Sequence, residues 1–286
     1  MKEILITGYN GFVGSYFIDK YKQNYNIKTF SFRTDKLENL VLSNSCTIVH
    51  LSALVHQMGG ASKDEYEKVN VEQTMKLANL AKKSGVGHFI FMSTVKVYGE
   101  ETSDIYTEKS NCLPEDDYGK SKLKAEHELQ KIEDDNFKVS IIRTPIVYGY
   151  GVKANIKNLI SLINKVPVLP FSNIKNKRSM VYIGNLCHLI NAIIIKVKSD
   201  IFLASDDQVL STTILVELIS KELNKRTILI KIPFFSVLLK QVKPSFYKRL
   251  YKSLEVDNTI TKKSLEFKNI YTIDEGIHNM IHGEKK

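Results

Sequence analysis

Residues 4 to 14 read Ile4-Leu5-Ile6-Thr7-Gly8-Tyr9-Asn10-Gly11-Phe12-Val13-Gly14, an apolar strand-like run followed at once by a turn with glycine at every third position. The order matters more than the glycines themselves. A helix opening near Gly11 points its unpaired N–H groups and the positive end of its dipole into the turn, and the missing Cβ atoms let a pyrophosphate approach the backbone. The stretch therefore predicts a dinucleotide site lined by Gly8, Asn10, Gly11, Phe12, Val13 and Gly14. A tight strand-to-helix turn can also use glycines with no ligand, so the rest of the chain must decide.

Outward from this turn, strand-like runs at 3–7, 27–32, 46–51, 87–93 and 137–142 alternate with helix-like segments near 12–24, 63–84 and 118–134. This rhythm predicts an α/β fold, a doubly wound parallel sheet of Rossmann type with helices on both faces. Helix 63–84 carries apolar residues on two sides (Val71, Met75, Ala78 and Leu77, Leu80, Ala81), which suits either a sheet plus a second subunit in a homodimer, or a covering loop. Past Gly149-Tyr150-Gly151 the alternation breaks down into helix 153–164, a Pro-containing stretch at 167–170, Ile201-Phe202-Leu203, helix 211–223 and an irregular last third. We therefore expect a dinucleotide-binding domain over 1–150, with part of 175–205 returning to it. A smaller mixed substrate domain over 151–286 would close a cleft at the carboxyl edge of the sheet.

Composition bounds the function. The chain has 286 residues, 43% of them hydrophobic, enough for a large core. Its longest apolar stretches, 189–195 and 232–239, fall short of the roughly 20 residues of a membrane span, and Met1-Lys2-Glu3 leads straight into a strand, so a cytoplasmic protein without a signal peptide is expected. Cys46, Cys112 and Cys187 are scattered, with no CxxC pair and no neighbouring histidine cluster, which suggests reduced thiols and no metal site. A net charge of +10 favours anionic partners. The basic runs look dispersed and lack aromatic interleaving, so a small phosphorylated ligand is the expected partner rather than nucleic acid.

Tyr118-Gly119-Lys120-Ser121-Lys122 opens a helix and puts Tyr118 and Lys122 at i and i+4 on one face. A phenol, with its ordinary pKa of about 10, is a poor acid–base group at neutral pH unless a nearby ammonium favours its phenolate. Upstream, the strand at 87–93 runs into Ser93-Thr94, whose hydroxyl could bind the same substrate oxygen as Tyr118.

Together with TGYNGFVG at 7–14, HLSA at 50–53, Asn70 in KVNVEQT, FMSTVKVYG at 91–99, YGKSK at 118–122 and IIRTPIVYGYG at 141–151, these features make the chain resemble the extended short-chain dehydrogenase/reductase family from about residue 2 to residue 280. The resemblance implies a catalytic set of Thr94, Tyr118 and Lys122, a pyrophosphate turn at Gly8, Gly11 and Gly14, and further cofactor contacts from Leu51, Ser52, Ala53, Asn70 and Pro145. Gln73 departs from the glycine usual in the VNVxGT segment, which bears on helix packing.

Within the family, sugar-nucleotide enzymes share hydride exchange at a sugar carbon. Dehydratases follow the strand-end Thr with Asp-Glu, where this chain has Val95 and Lys96, and valine transfers no proton. The segment Thr29-Phe30-Ser31-Phe32-Arg33 has no acid at the expected strand end, and Arg33 suits a 2′-phosphate, so NADP(H) is expected over NAD(H); the alternative is a solvated Arg33 with Asp35 holding the ribose. STVKVYGE, VYGYGVKANI, NKRSMVYIGNL and RLYKSLEVD resemble bacterial 4-reductases that convert UDP-4-keto-6-deoxy-N-acetylglucosamine to UDP-N-acetylquinovosamine. That likeness implies a UDP-sugar partner, used for surface polysaccharide, met by Thr94, Val95, Lys96, Tyr148, Lys153, Asn155, Arg178 and Arg249. It leaves as alternatives a UDP-hexose or UDP-N-acetylhexosamine 4-epimerase holding NAD tightly, and a non-catalytic regulator or RNA-binding relative.

Overall fold

The computed structural model describes residues 1–55, 61–102 and 104–284. Six strands build the main sheet: β1 (Lys2–Thr7), β2 (Tyr25–Phe30), β3 (Thr47–His50), β4 (His88–Thr94), β5 (Lys138–Thr144) and β6 (Asp200–Leu203). All neighbours pair in parallel, in the order β2-β1-β3-β4-β5-β6. The chain leaves β1 towards β2 and returns on the other side at β3, so the strand order reverses beside β1, where a doubly wound sheet opens its ligand crevice.

Alternation along the strands explains why both faces are covered. Ile4, Ile6, Val49, Ile90 and Ile142 point to one side, where Phe17 of the helix Phe12–Tyr21 and Leu186, Ile190 and Ile193 of the helix Ile183–Lys196 pack. Leu5, Ile48, Phe89, Phe91 and Ile141 point to the other, against Leu77, Ala78 and Ala81 of the helix Gln73–Lys83 and Ala125 and Leu129 of the helix Asp117–Ile132. A strand with apolar residues at every position is what a sheet buried on both faces requires.

Several boundaries differ from the sequence reading. β2 runs Tyr25–Phe30 and stops before Ser31, because the Asp35 carboxylate folds back to accept the Ser31 N–H at 2.8 Å and closes a turn there. The segment 63–84 is not one regular helix. Lys63–Tyr66 starts it behind a Ser62–Glu65 capping box, Glu67–Glu72 forms a π turn, and Gln73–Lys83 completes it. Val71, Leu77, Ala78 and Ala81 are buried within the chain itself, while Met75 and Leu80 stay half-buried. Beyond β5, short parallel pairs replace the regular rhythm: Ile146–Tyr148 with Met180–Tyr182, Val168–Leu169 with Ile228–Leu229, and Glu255–Val256 with Ile105–Tyr106 from the segment between β4 and β5. Among the described residues no helix is long and apolar enough to cross a membrane.

Candidate active site

The glycine turn has the form the sequence demands. Gly8 sits at φ +67°, and a Cβ there would come within 2.8 Å of the Leu51 carbonyl carbon and the Ser52 nitrogen; at Gly14 it would meet the Gly8 oxygen at 2.4 Å. Gly11 caps the helix Phe12–Tyr21 with no side chain accepting its first N–H groups, and its first turn carries no acid. That is a ready anion cradle, and it fits a dinucleotide pyrophosphate.

Behind the cradle, a buried hydrogen-bond chain fixes the ends of β1 and β3. The Ser52 N–H donates to Thr7 Oγ1 (3.2 Å), Thr7 Oγ1 pairs with His50 Nδ1 (2.8 Å), His50 Nε2 with Thr74 Oγ1 (2.9 Å), and Thr74 Oγ1 donates to the Asn70 carbonyl (2.8 Å). Each hydroxyl has one proton, so only the neutral Nε2–H tautomer of His50 satisfies the chain. Burial, reinforced by Lys122, pushes the His50 pKa down to about 3. Asn70 lies in the π turn and is fully buried. Its Oδ1 accepts the Leu54 N–H (2.8 Å), and its Nδ2 donates to the Leu54 carbonyl and to Ser121 Oγ, both at 3.0 Å. The structure thus gives Asn70 a bracing task between the loop after β3, which holds Leu51, Ser52 and Ala53, and the Tyr118 helix.

At the carboxyl ends of β4 and β5 a cavity of about 260 Å³ gathers Thr94, Val95, Lys96, Tyr118, Pro145, Asn155, Arg178 and Arg249. Residues expected around substrate and cofactor therefore line one cavity. Asp116 caps the helix that starts at Asp117, its Oδ1 accepting the Gly119 N–H at 2.7 Å, which sets Tyr118 in the first turn. Lys96 pairs with Glu100 at 2.8 Å and with Asp116, so Val95 and Lys96 do not make an acid–base couple.

The electrostatics differ from the expectation that Lys122 draws the tyrosine pKa down. Burial, then Asp116 and Tyr66, hold the Tyr118 phenol above its ordinary range. Burial also pushes Lys122 down to about 7, partly offset by Glu126, and its Nζ lies over the Phe91 ring, 3.8 Å from the centroid. Desolvation is the largest cause at both groups and sets the direction of both shifts.

Arg178 carries the clearest sign of an absent partner. Its Nη1 donates to the Lys252 carbonyl at 3.1 Å, its buried Nε has no acceptor among the described residues, and burial together with neighbouring Arg249 pushes its pKa down to about 10. Arg249 in turn donates to Asn155 Oδ1 at 3.2 Å. Two adjacent guanidinium groups facing one cavity suit a diphosphate, whose oxygens can accept from both forks.

Three expected residues fall elsewhere. Tyr148 is fully buried and donates to Asp206 at 2.7 Å, which makes it a core residue rather than a substrate contact; Gly276 packs against its ring. Lys153 is exposed at the start of the helix Ala154–Lys165 and does not line the cavity. Arg33 is exposed beyond the end of β2, while the Asp35 carboxylate lies against Ser31 at that end, so the premise of a strand end without an acid does not hold. Sequence reasoning missed Glu100 and Lys248 on the cavity wall. It also missed a surface cluster of Glu222, His278 and His282. There the His278 Nδ1–H donates to the Glu222 carboxylate at 2.8 Å and the His282 Nε2–H to the Glu222 carbonyl at 3.1 Å, so both imidazoles tie two helices together.

A glycine cradle at the β1 turn, and a cavity lined by Tyr118 and the strand-end Thr94 with Lys122 buried one turn further along the tyrosine helix, are features of a dinucleotide-dependent enzyme of the Rossmann type. The sequence pattern of the NAD dependent epimerase/dehydratase family matches residues 4–203, and the chain belongs to that family. It is 36% identical over 305 aligned positions to a UDP-glucose 4-epimerase of Vibrio cholerae, covering 96% of this chain and 93% of that one. In fold it is similar to the UDP-glucuronic acid 4-epimerase of Bacillus cereus in complex with NAD (TM-score 0.79, 19% identity, 98% of each chain). It is also similar to the dTDP-4-dehydrorhamnose reductase of Bacillus anthracis in complex with NADP (TM-score 0.76, 19% identity, 100% of each chain).

Proposed function

We propose that this protein is a UDP-hexose or UDP-N-acetylhexosamine 4-epimerase that works with NAD. The observation that carries the proposal is the cavity itself, which Tyr118 and Thr94 line together with Arg249 and with Arg178, whose buried Nε has no acceptor among the described residues. The full-length likeness to a UDP-glucose 4-epimerase supports epimerisation over the 4-reduction expected from the sequence segments. The acid at the end of β2 supports NAD over NADP(H), because Asp35 offers a carboxylate to a ribose diol where a 2′-phosphate would meet a like charge.

Bound NAD would supply a reversible hydride acceptor beside the sugar C4, held by the Gly8–Gly14 cradle, Asp35 and the Tyr118 helix. As a phenolate, which the positive nicotinamide of bound NAD and a protonated Lys122 would favour over the buried phenol, Tyr118 Oη would take the proton of the C4 hydroxyl as the C–H bond breaks, and Thr94 Oγ1 would donate a hydrogen bond to the same oxygen. Arg178 and Arg249 keep the diphosphate in place while the 4-keto sugar turns its other face. Tyr118 then returns its proton as C4 is reduced again, so no net redox change occurs. Thr94 Oγ1 already accepts the Lys96 N–H at 3.3 Å, which leaves its own proton for the sugar.

The test is direct. Protein purified without added nucleotide should carry tightly bound NAD and interconvert UDP-glucose with UDP-galactose, or UDP-GlcNAc with UDP-GalNAc, followed by NMR without added cofactor. Stoichiometric NADPH consumption on a UDP-4-keto-6-deoxy sugar, with no epimerisation, would replace this reading with the 4-reductase.

A further inference from the structure

Between Glu222 and Glu255 the sequence holds eight lysines and arginines and no acid, against +10 for the whole chain. Much of the protein's excess charge is therefore concentrated here and not dispersed. The same segment exposes apolar side chains in register. The helix Phe235–Val242 has no buried residue. Phe234, Val237, Leu238 and Val242, at i, i+3, i+4 and i+8, are 83%, 53%, 58% and 66% exposed and form one stripe, while Leu239 on the opposite side packs on the core. Phe234 adopts φ +61°, a left-handed backbone that a bulky side chain occupies only at a cost, at the head of the stripe. Single exposed apolar residues need no explanation, but a contiguous stripe does.

The charge decides what covers it. Lys231, Lys240 and Lys243 border the stripe and are exposed. A second copy docking this face on itself would bring these like charges together. RNA would ask for aromatic stacking platforms, and the stripe is mainly aliphatic. A surface that accepts aliphatic side chains and attracts lysines is an anionic bilayer.

We propose that residues 230–246 dock the enzyme peripherally on an anionic lipid surface, with Phe234, Val237, Leu238 and Val242 entering the headgroup boundary and Lys231, Lys240 and Lys243 on the lipid phosphates. The next helix, Pro244–Tyr251, carries Lys248 and Arg249 into the wall of the cavity, so docking sets the active site beside the membrane. This contact lies outside the catalytic groups and holds whichever sugar is turned over.

Flotation of the full-length protein with vesicles tests the proposal. Vesicles of phosphatidylglycerol and phosphatidylcholine should carry the protein at low salt, and high salt or pure phosphatidylcholine should release it. Lys240→Glu with Lys243→Glu should weaken binding at least about 25-fold, from about fivefold per basic residue near an anionic surface. Leu238→Glu should abolish flotation. Both variants should keep the circular dichroism spectrum and the turnover of a soluble UDP-sugar, so failure of docking and failure of the epimerase reading are separate results. Absence of flotation on anionic vesicles at low salt overturns the proposal. So does binding indifferent to these variants, or a lipid-free dimer that Val237→Glu dissociates, which assigns the face to a second copy.

Discussion

Replacing Glu126 with glutamine keeps the side-chain shape and removes one buried charge. Glu126 and Arg143 have side chains only 1% and 4% exposed, with Arg143 Nη2 2.6 Å and Nε 3.2 Å from Glu126 Oε2. Ser93 Oγ donates to the same carboxylate. Burial works against the Arg143 charge, and Glu126 more than offsets it, so the guanidinium stays charged. The neutral amide of the Glu126→Gln variant would leave Arg143 without a countercharge, at a cost of about 3–5 kcal/mol. With an unfolding entropy of about 2.1 cal/mol/K per residue, 286 residues give about 600 cal/mol/K, so the thermal midpoint should fall by about 5–8 °C. Adding Arg143→Met removes the orphaned charge and should restore most of that loss. The pair clamps the ends of β4 and β5, next to Thr94 and Pro145, so turnover should fall as well. Loss of the Glu126 charge should also move the Lys122 pKa further below about 7. Melting curves of wild type, single and double variants provide the assay. A single-variant shift under about 2 °C, or a double variant no better than the single, would refute the reasoning.

Tyr118→Phe should lower turnover by about 10² to 10⁴ while leaving dinucleotide content unchanged, measured by coupled assay and by absorbance of the released cofactor. Stability should fall as the solution is acidified below pH 6.5. His50 and His88 have folded pKa values of about 3, lowered by burial, so between 3 and 6.5 the unfolded chain binds more protons. Two such groups give a slope of up to about 2.7 kcal/mol per pH unit, and urea unfolding that stays flat from pH 6.5 to 5 contradicts this. Gly14→Ala puts a Cβ 2.4 Å from the Gly8 carbonyl oxygen and should yield protein that purifies without dinucleotide; full occupancy would show that the turn can shift.

The parts of the fold that follow from period were legible in the sequence. Apolar residues at every position of Ile4-Leu5-Ile6 and Phe89-Ile90-Phe91 announced strands covered on both faces, and the turn glycines announced their own geometry. That Thr94 and Tyr118 meet at one cavity was legible because one ends a strand and the other opens a helix. What escaped depends on contacts distant in sequence. The β2 end hinged on one carboxylate folding back from Asp35. Tyr148 reads as a polar residue in a motif, yet its hydroxyl is spent on Asp206, 58 residues away. The Tyr118 pKa was misjudged because one-turn spacing to Lys122 says nothing of how dry the pair is.

The π turn at Glu67–Glu72 has a consequence for how this chain can vary. It fits one more residue into the helix than an α turn would, and each residue of a helix advances the side-chain direction by about 100°. Deleting any one residue there could leave a continuous α-helix of nearly the same length. Because the wide turn absorbs its extra residue, such a deletion leaves Tyr66, packed 6.1 Å from the Tyr118 ring, in phase with the residues after Gln73; what it shifts is the residues inside the turn, Asn70 among them, the brace on Leu54 and Ser121. The segment from Ser62 to Gln73 therefore tolerates substitution far better than a change of length. A homologue one residue shorter there would have to hold the β3 loop and the tyrosine helix by some other means.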